Sequence, residues 1–225
     1  MKKTAWVAGA SGLIGSHLIE LLNAHPAYDK VVAFVRQATI TPPYNQSKVE
    51  QRCVDYTQLQ APDNDRVDDV FCALGSTAKK TPDKEAYYQI DVLYPLAAAE
   101  LGLKHGASFY GVVSAHGAKS SRLSFYLEMK SRLEHSLKQL GYSHLAIARP
   151  SLLKGDRKEY RPAERLSEGF MSLLPGNYKA IHAKDVAAAL IQAANSKTDQ
   201  DSQSISILSS KEMQNASQLD SRSSV

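Results

Sequence analysis

A run of three glycines near the start of the chain constrains the fold more than any other feature. Residues 4–8 form a short apolar run, and G-x-x-G-x-x-G follows it directly. Apolar residues then recur at the spacing of one helical face, which predicts a glycine-rich junction between a buried strand and a helix. At such a junction the backbone can approach a pyrophosphate, whose charge the helix N-terminus stabilises. We therefore predict a dinucleotide site, with a simple turn as the alternative, formed by Gly9, Ser11, Gly12, Leu13, Ile14 and Gly15.

The residue after the second predicted strand bears on which dinucleotide binds. Residues 31–35 are apolar, and Arg36 ends the run 21 positions after Gly15. In dinucleotide-binding folds an acidic residue near this position binds the ribose 2′-hydroxyl of NAD, whereas a cation suits the 2′-phosphate of NADP. The arginine fork can donate two hydrogen bonds to phosphate oxygens. We therefore expect NADP(H), with Arg36 at the phosphate and Ser11 and Gln37 as helpers.

Length and charge exclude several classes of protein. At 225 residues the chain suits one α/β domain rather than two independent ones. The net charge is +4, and the basic residues are spread along the chain, which favours a solvated surface over a nucleic-acid partner. No stretch is long and apolar enough for a membrane span. Lys2 and Lys3 imitate the start of a signal peptide, but the apolar part is short and cleavage would destroy the glycine turn.

The cysteine and histidine patterns complete these expectations. Cys53 and Cys72 lie on separate predicted strands without a C-x-x-C spacing, so we expect free, buried thiols in a reducing compartment. Because the start of the chain does not fit a signal peptide, we expect a cytoplasmic protein. The seven histidines show no ligand spacing, and we predict no metal.

Alternating strands and helices predict the architecture. Six apolar runs are predicted strands, at residues 4–8, 31–35, 49–54, 70–74, 107–113 and 144–148. Helical segments separate most of them, including 84–105, interrupted at Pro95, and 122–140, ended by Gly141. This order predicts an α/β fold, a Rossmann-type doubly wound parallel sheet with helices on both faces.

The chain after the sixth strand is less patterned. Residues 1–150 are predicted to form the NADP-binding core, and residues 151–225 a small substrate-covering region of the same domain. In that region we expect a helix capped by Asp185, a last strand at 205–208 and a tail, 220–225, with too little apolar surface to order itself.

Ligands of such sheets bind beyond the carboxyl ends of the strands, where the strand order reverses. Asp55 follows the third strand and would either meet the adenine amino group or cap the short segment 56–59. Leu74 and Gly75 close the fourth strand and leave room for the cofactor. Arg149 and Pro150 close the sixth strand at the same edge.

Three residues form a candidate catalytic set. Tyr126 and Lys130 are four apart on one face of a predicted helix, and Ser114 ends the strand before it. A phenol has a reference pKa of about 10, and a nearby ammonium favours the phenolate. Lys130 would supply this charge and hold the nicotinamide ribose, Ser114 would hydrogen-bond a substrate carbonyl, and Tyr126 would pass it a proton as hydride arrives. The alternative is an ordinary surface pair.

These residues together resemble the short-chain dehydrogenase/reductases, in the atypical NAD(P)-binding epimerase-like branch. The resemblance runs from Lys3 to about Ala194 and includes G-A-S-G-L-I-G, the Ser114/Tyr126/Lys130 set and I-H-A-K-D-V-A-A-A. S-A-H-G-A-K-S-S and F-Y-L-E-M-K-S-R-L-E are most similar to the Tat-interacting oxidoreductase-like branch. The resemblance implies an NADPH-binding fold, and a regulatory role for some members. Better-studied members complete a proton relay with an Asn, where this chain has Asp91.

The predicted function is an NADP(H)-dependent oxidoreductase that acts on a small carbonyl compound or alcohol. The alternative is a non-catalytic NADPH-binding sensor that acts through a partner, with the charged segment 154–165 as the responsive loop. The short substrate region and Arg36 argue against a sugar-nucleotide epimerase. We expect a small-molecule substrate, no nucleic-acid or membrane partner, and a possible homodimer through helix 122–140.

Overall fold

The computed structural model describes residues 2–39, 41, 43–44, 46–77, 80–118, 125–154, 180–196 and 203–215. Its strands are β1 (Lys3–Ala8), β2 (Tyr28–Val35), β3 (Val49–Cys53), β4 (Asp69–Cys72), β5 (Phe109–Val113), β6 (His144–Arg149), β7 (Leu153–Lys154), β8 (Ile181–His182) and β9 (Ser204–Ser209). Its helices are α1 (Leu13–Ala24), α2 (Lys84–Tyr88), α3 (Tyr94–Lys104), α4 (Phe125–Gln139) and α5 (Ala183–Asn195). A 3₁₀ turn covers Tyr56–Gln58, and a π-helical turn covers Gln89–Leu93.

Seven strands form one parallel sheet in the order β3-β2-β1-β4-β5-β6-β9. The chain adds strands outward from β1 in both directions, so the carboxyl ends of β1 and β4 lie at the point of reversal. This arrangement confirms the predicted doubly wound Rossmann-type fold. All six predicted strands are present, and the expected strand at 205–208 is β9, which pairs with β6. β7 and β8 pair separately.

Two apolar layers cover the sheet. On one face, Ile14 and Leu18 of α1 pack in a cluster with Val186 and Leu190 of α5. On the other face, the cluster contains Trp6 of β1 with residues of α3 and α4. Because the central strands are buried on both faces, their sequences are nearly continuous apolar runs and do not alternate between apolar and polar residues.

The helix predicted from 84 to 105 is divided by a widened turn. The N–H of Tyr94 donates to the carbonyl of Gln89, five residues earlier, which is the bonding of a π-helix. The chain restarts as α3 at Tyr94, and Pro95 lies in the first turn of α3, where a proline needs no N–H donor. The predicted interruption is therefore present, and it takes the form of one π turn just before the proline.

The region after Pro150 adds α5 and β9 to the same core and sheet. The prediction that Asp185 caps this helix is wrong. His182 is the N-cap residue, with extended backbone, and Asp185 lies within the first turn, where helical backbone has already begun. Residues 155–179, which hold nearly all of the charged segment 154–165 and about a third of the predicted covering region, lie outside the described residues, as does the tail at 220–225.

Both cysteines are free, but only one is buried. Cys72 lies in β4, near the centre of the sheet, whereas Cys53 is exposed. The expectation that both are buried is wrong for Cys53 because β3 is the edge strand and its end is open to solvent. In the described part of the chain, no helix has the length and apolarity needed to cross a membrane.

Candidate functional site

The glycine turn joins β1 to α1 with almost no free space around it. Gly9 has a φ of 77°, and a Cβ there would lie 2.7 Å from the backbone of both Ala73 and Leu74. A Cβ on Gly15 would lie 2.1 Å from the carbonyl oxygen of Gly9. Gly12 is less restricted, with its nearest contact at 3.2 Å. Gly9 and Gly15 are therefore required by the close packing of helix α1, the turn and β4.

The N-terminus of α1 has backbone N–H groups available to bind an anion. Gly12 is the N-cap residue and has no side chain with which to cap the helix, and the first turn contains no acidic residue. Ser11 and Gly12 are exposed, Leu13 is half-buried, and Ile14 is buried. Because the first N–H groups of a helix lack internal partners and carry partial positive charge, this end fits a diphosphate.

Two tyrosines that the sequence analysis missed brace the turn. The Tyr44 hydroxyl donates to the carbonyl of Ala10 at 2.7 Å, and the Gly9 N–H donates to the Tyr56 hydroxyl at 3.2 Å. The Tyr56 ring stacks on Tyr94, with 5.5 Å between ring centroids. Burial raises the pKa of Tyr56, so its hydroxyl keeps its proton. Tyr44 lies in an irregular loop, where no local pattern could have identified this long-range contact.

The residues predicted for the adenosine end lie at the carboxyl ends of β2 and β3. Arg36 and Gln37 are exposed, and among the described residues the Arg36 guanidinium has no ion-pair partner. Asp55 accepts hydrogen bonds from the N–H and the hydroxyl of Thr57, which lower its pKa. Asp55 thus has the capping role that was one of its two predicted alternatives, and its contact with adenine stays a prediction.

Lys130 and Asp91 form a buried ion pair beneath Gly75. The Lys130 Nζ lies 2.9 Å from Asp91 Oδ1, and the two side chains are 4% and 0% exposed. A Cβ on Gly75 would lie 3.4 Å from Asp91 Oδ1 and 3.5 Å from Lys130 Nζ, so the backbone of Gly75 lies directly against the pair. Tyr126 is 39% exposed, and its ring centroid is 6.0 Å from the ammonium. The structure therefore brings Tyr126, Lys130 and Gly75 together.

The charge state of Lys130 follows from competing effects. Burial alone lowers the pKa of a lysine, because it disfavours the charged form. Here the charge of Asp91 opposes burial, and the pKa of Lys130 is raised above its ordinary value. The lysine therefore carries its positive charge beside Tyr126 at neutral pH.

Ser114 belongs to a second buried network that includes Glu134, which the sequence analysis missed. The Ser114 hydroxyl donates to Glu134 Oε1 at 2.5 Å. Arg149 donates to both oxygens of Glu134, from Nε at 3.0 Å and from Nη2. The single hydroxyl proton of Ser114 is used in this hydrogen bond. Toward any other group, the Ser114 oxygen can therefore only accept a hydrogen bond. Glu134 follows Lys130 by four residues on the buried side of α4, a position where a charged residue could have been noticed.

The remaining residues that were predicted to bind the cofactor at the carboxyl edge of the sheet make contacts within the protein. The guanidinium of Arg149 is engaged by Glu134, which raises its pKa. Pro150 is buried, and its carbonyl accepts a hydrogen bond from the His116 N–H at 2.9 Å. Leu74 is half-buried, with its backbone against Gly9. Arg149, Pro150 and Leu74 shape the sheet edge, and their contact with a cofactor stays a prediction.

The fold and the glycine turn define a dinucleotide-binding protein of the Rossmann type. The sequence profile of the NAD(P)H-binding family matches residues 9–197, which is most of the chain. The chain therefore belongs to the NAD(P)H-binding family, in agreement with the resemblance to an NAD(P)-binding group found in its sequence.

Relatives and solved structures agree with this assignment. Protein HTATIP2 from Rattus norvegicus is 28% identical over 93% of this chain and 87% of its own length. Protein FMP52, mitochondrial, from Candida glabrata is 30% identical over 71% of this chain and 67% of its own. The UDP-glucuronic acid 4-epimerase of Bacillus cereus, solved with NAD, shares the fold with a TM-score of 0.66 and 18% identity, covering 99% of this chain and 83% of that one.

A second solved structure shows the same fold with the other cofactor. Human epimerase family protein SDR39U1, solved with NADPH, has a TM-score of 0.61 and 15% identity, covering 86% of this chain and 70% of that one. The structural neighbours thus include proteins solved with NAD and with NADPH, and the family-level statement for this chain is NAD(P)H binding.

The expectation of a cytoplasmic location is contradicted by the relatives. Several fungal relatives, from Aspergillus terreus, Candida glabrata, Candida albicans and Emericella nidulans, are named as mitochondrial proteins. Free cysteines indicate a reducing environment, which does not distinguish the cytoplasm from the mitochondrial interior. Neither the free cysteines nor the rejected signal peptide therefore distinguishes a cytoplasmic protein from a mitochondrial one.

Proposed function

We propose that the protein is an NADP(H)-dependent oxidoreductase that acts on a small carbonyl compound or the corresponding alcohol. The observation that supports it most is the buried Lys130–Asp91 pair, which lies beneath Gly75 and beside the exposed ring of Tyr126. This arrangement places a fixed positive charge next to a phenol that a substrate can reach. Such an arrangement suits proton transfer to or from an oxygen atom.

The residues present fit the cofactor. Gly9 and Gly15 allow the tight turn, and the exposed N-cap Gly12 leaves the start of α1 accessible to a diphosphate. Arg36, exposed at the end of β2 without an ion-pair partner in the described residues, would hold the 2′-phosphate. Lys130, whose ammonium lies next to Gly75, would hold the nicotinamide ribose. When bound, NADP(H) supplies or accepts a hydride.

Tyr126 is assigned as the acid and base. In the reducing direction its hydroxyl gives a proton to the carbonyl oxygen, and in the oxidising direction it takes the proton from the alcohol. Lys130 remains charged throughout and stabilises the phenolate that forms when Tyr126 gives up its proton. Because the Ser114 hydroxyl donates to Glu134 and the proton of the alcohol goes to Tyr126, we assign Ser114 no hydrogen bond to the substrate.

The proton-transfer role is tested by Tyr126→Phe in a panel of aldehydes and ketones, with NADPH consumption followed by absorbance. We expect kcat/KM to fall by about 100-fold or more, since general acid–base catalysis contributes at least this much. The Kd for NADPH, measured by calorimetry, should stay within about twofold of the wild type. Tyr88→Phe removes a half-buried hydroxyl with no assigned role and is the matched control. Equal activity in wild type and Tyr126→Phe would contradict the assignment.

The cofactor preference is tested by Arg36→Ala. Loss of a charge-assisted contact costs about 1.5 to 3 kcal/mol, so NADPH binding should weaken by roughly ten- to 150-fold while NADH binding changes little. Arg66→Ala, which removes an exposed arginine bonded to the carbonyls of Asp63 and Asp65, is the control. If Arg36→Ala weakens NADPH and NADH equally, Arg36 does not read the 2′-phosphate.

A further inference from the structure

We propose that Phe125 is a specificity-determining residue, which selects substrates that carry an aromatic ring next to the carbonyl group. This inference rests on the proposed function and deepens it, because it names a class of substrate for the site around Tyr126. Phe125 begins α4, directly before Tyr126. The inference follows from three features: the exposure of the Phe125 ring, the side chains that hold this ring, and its place beside the phenol.

The apolar ring of Phe125 is open to solvent next to the candidate acid. Phe125 is 37% exposed and Tyr126 is 39% exposed. Of the described residues, these are the two exposed large aromatic side chains. Single exposed apolar residues are common on protein surfaces, but ligand pockets are typically lined by aromatic side chains with a few polar groups among them. Phe125 and Tyr126 provide this combination, an apolar ring next to a polar phenol.

Two side chains of α2 hold the Phe125 ring in place. The ammonium of Lys84 lies 5.6 Å from the centroid of this ring. The ring centroid of Tyr87 lies 5.7 Å away, with the two ring planes tilted by 59°. Lys84 and Tyr87 are three residues apart, so they lie on one face of α2. Because a cation and a tilted second ring both attract an aromatic ring, Phe125 is held in one orientation without being buried.

Tyr87 connects the Phe125 ring to the rest of the candidate site. Its hydroxyl donates to the carbonyl of Ser76 at 3.4 Å, in the segment after β4 that also lies against the buried ion pair. Burial, and then the charges of Asp91 and Tyr126, raise the pKa of Tyr87, so this hydroxyl keeps its proton. Tyr87 is thus close to both the phenol and the Phe125 ring. The Phe125 ring therefore lines the approach to Tyr126.

The two neighbouring side chains of α4 recognise different parts of a substrate. Tyr126 exchanges a proton with the carbonyl oxygen, beside the charge of Lys130. Successive residues of a helix point about 100° apart, so the Phe125 ring lies to the side of the phenol and is assigned to the group attached to the carbonyl carbon. An aromatic group there gains a ring–ring contact in addition to removal from water, whereas a saturated ring gains only the removal from water.

The first experiment compares benzaldehyde with cyclohexanecarbaldehyde, whose rings have the same number of carbons. The measured quantity is the ratio of their kcat/KM values, because the difference in intrinsic reactivity is the same for every variant. Phe125→Leu keeps an apolar side chain but removes the ring, so we expect this ratio to fall about threefold to tenfold. Phe125→Tyr keeps the ring and should keep the ratio. Ile205→Ala, which alters an exposed apolar side chain near the amino end of the edge strand β9, is the control and should also keep it.

The second experiment does not depend on turnover. Benzamide and cyclohexanecarboxamide carry the same two rings on a carbonyl group that resists reduction by a hydride donor of this kind. Their Kd values are measured by NMR titration in the presence of NADPH. In Phe125→Leu the ratio of the two Kd values should shift about threefold to tenfold against benzamide. Phe125→Tyr and Ile205→Ala should leave that ratio as in the wild type.

The two experiments separate the possible failures. A wild-type protein that consumes no NADPH with any carbonyl would overturn the proposed function, while a shifted amide ratio in Phe125→Leu would still support the aromatic surface. An active enzyme whose aldehyde and amide ratios are the same in the wild type and in Phe125→Leu would overturn the role of Phe125 alone. The role of Phe125 is also overturned if the wild type binds neither amide and reduces neither aldehyde.

Discussion

The two ends of the sheet carry the same three kinds of side chain in different arrangements. At the amino end, Tyr28, Lys3 and Asp69 begin β2, β1 and β4. At the carboxyl end, Tyr126, Lys130 and Asp91 form the candidate site. In each group a lysine ammonium lies near a tyrosine ring, 5.6 Å from the centroid of Tyr28 and 6.0 Å from that of Tyr126. In each group a fully buried aspartate pairs with the lysine.

The two groups differ in what the phenol touches. The Tyr28 hydroxyl is buried and donates to Asp69 at 2.7 Å. Burial and then the charge of Asp69 raise the pKa of Tyr28, so its proton stays in place. Tyr126 is instead exposed, and its charged neighbour is the ammonium rather than the carboxylate. Residue types alone therefore do not identify a proton-transfer site. A buried phenol that donates to a carboxylate has a structural role, whereas an exposed phenol beside an ammonium is suited to proton transfer.

The largest effect that tests this comparison is on stability. Tyr28→Phe removes a hydrogen bond to a buried carboxylate, so we expect the free energy of unfolding to fall by about 2 kcal/mol, measured by urea denaturation. Tyr126→Phe alters an exposed side chain and should change it by less than about 0.5 kcal/mol. NADPH consumption should show the reverse order, with Tyr28→Phe close to wild type. If both variants were equally stable, the two ends of the sheet would not differ as described.

A smaller effect concerns alkaline pH. Because the pKa of Tyr28 is raised in the folded state, its contribution to stability is complete below the unfolded value of about 10 and is lost as pH rises above it. Phenylalanine has no proton to lose at this position. The difference in unfolding free energy between wild type and Tyr28→Phe should therefore shrink by about 1.4 kcal/mol between about pH 9 and about pH 11. Urea denaturation of both proteins at each pH measures it, and a constant difference would contradict the account.

The parts of the molecule that the sequence predicted are those with local patterns. The glycine spacing identified a turn whose geometry requires Gly9 and Gly15, and the strand–helix alternation identified the sheet. The i, i+4 spacing placed Tyr126 and Lys130 on one helix. Each of these features is set by residues that are close in the chain, which is why periodicity could find them.

The buried partners of the site could not be found in this way. Glu134 meets Arg149 and Ser114, and Asp91 meets Lys130, only because the sheet brings separate elements together. The sequence predicts that Ser114 bonds a substrate and that Arg149 contacts the cofactor, whereas in the structure both side chains donate to Glu134. The sensor alternative depended on residues 154–165, nearly all of which lie outside the described residues.

The π turn at Gln89–Leu93 also determines how the protein can tolerate changes in length. A π turn holds one residue more than an α turn, so removal of one residue here would restore an ordinary helix and redirect the side chains of the turn by about 100° per residue. Asp91 would then point away from Lys130, although no side chain had been substituted. Insertions and deletions between Lys84 and Lys104 are for this reason constrained by the ion pair as well as by packing.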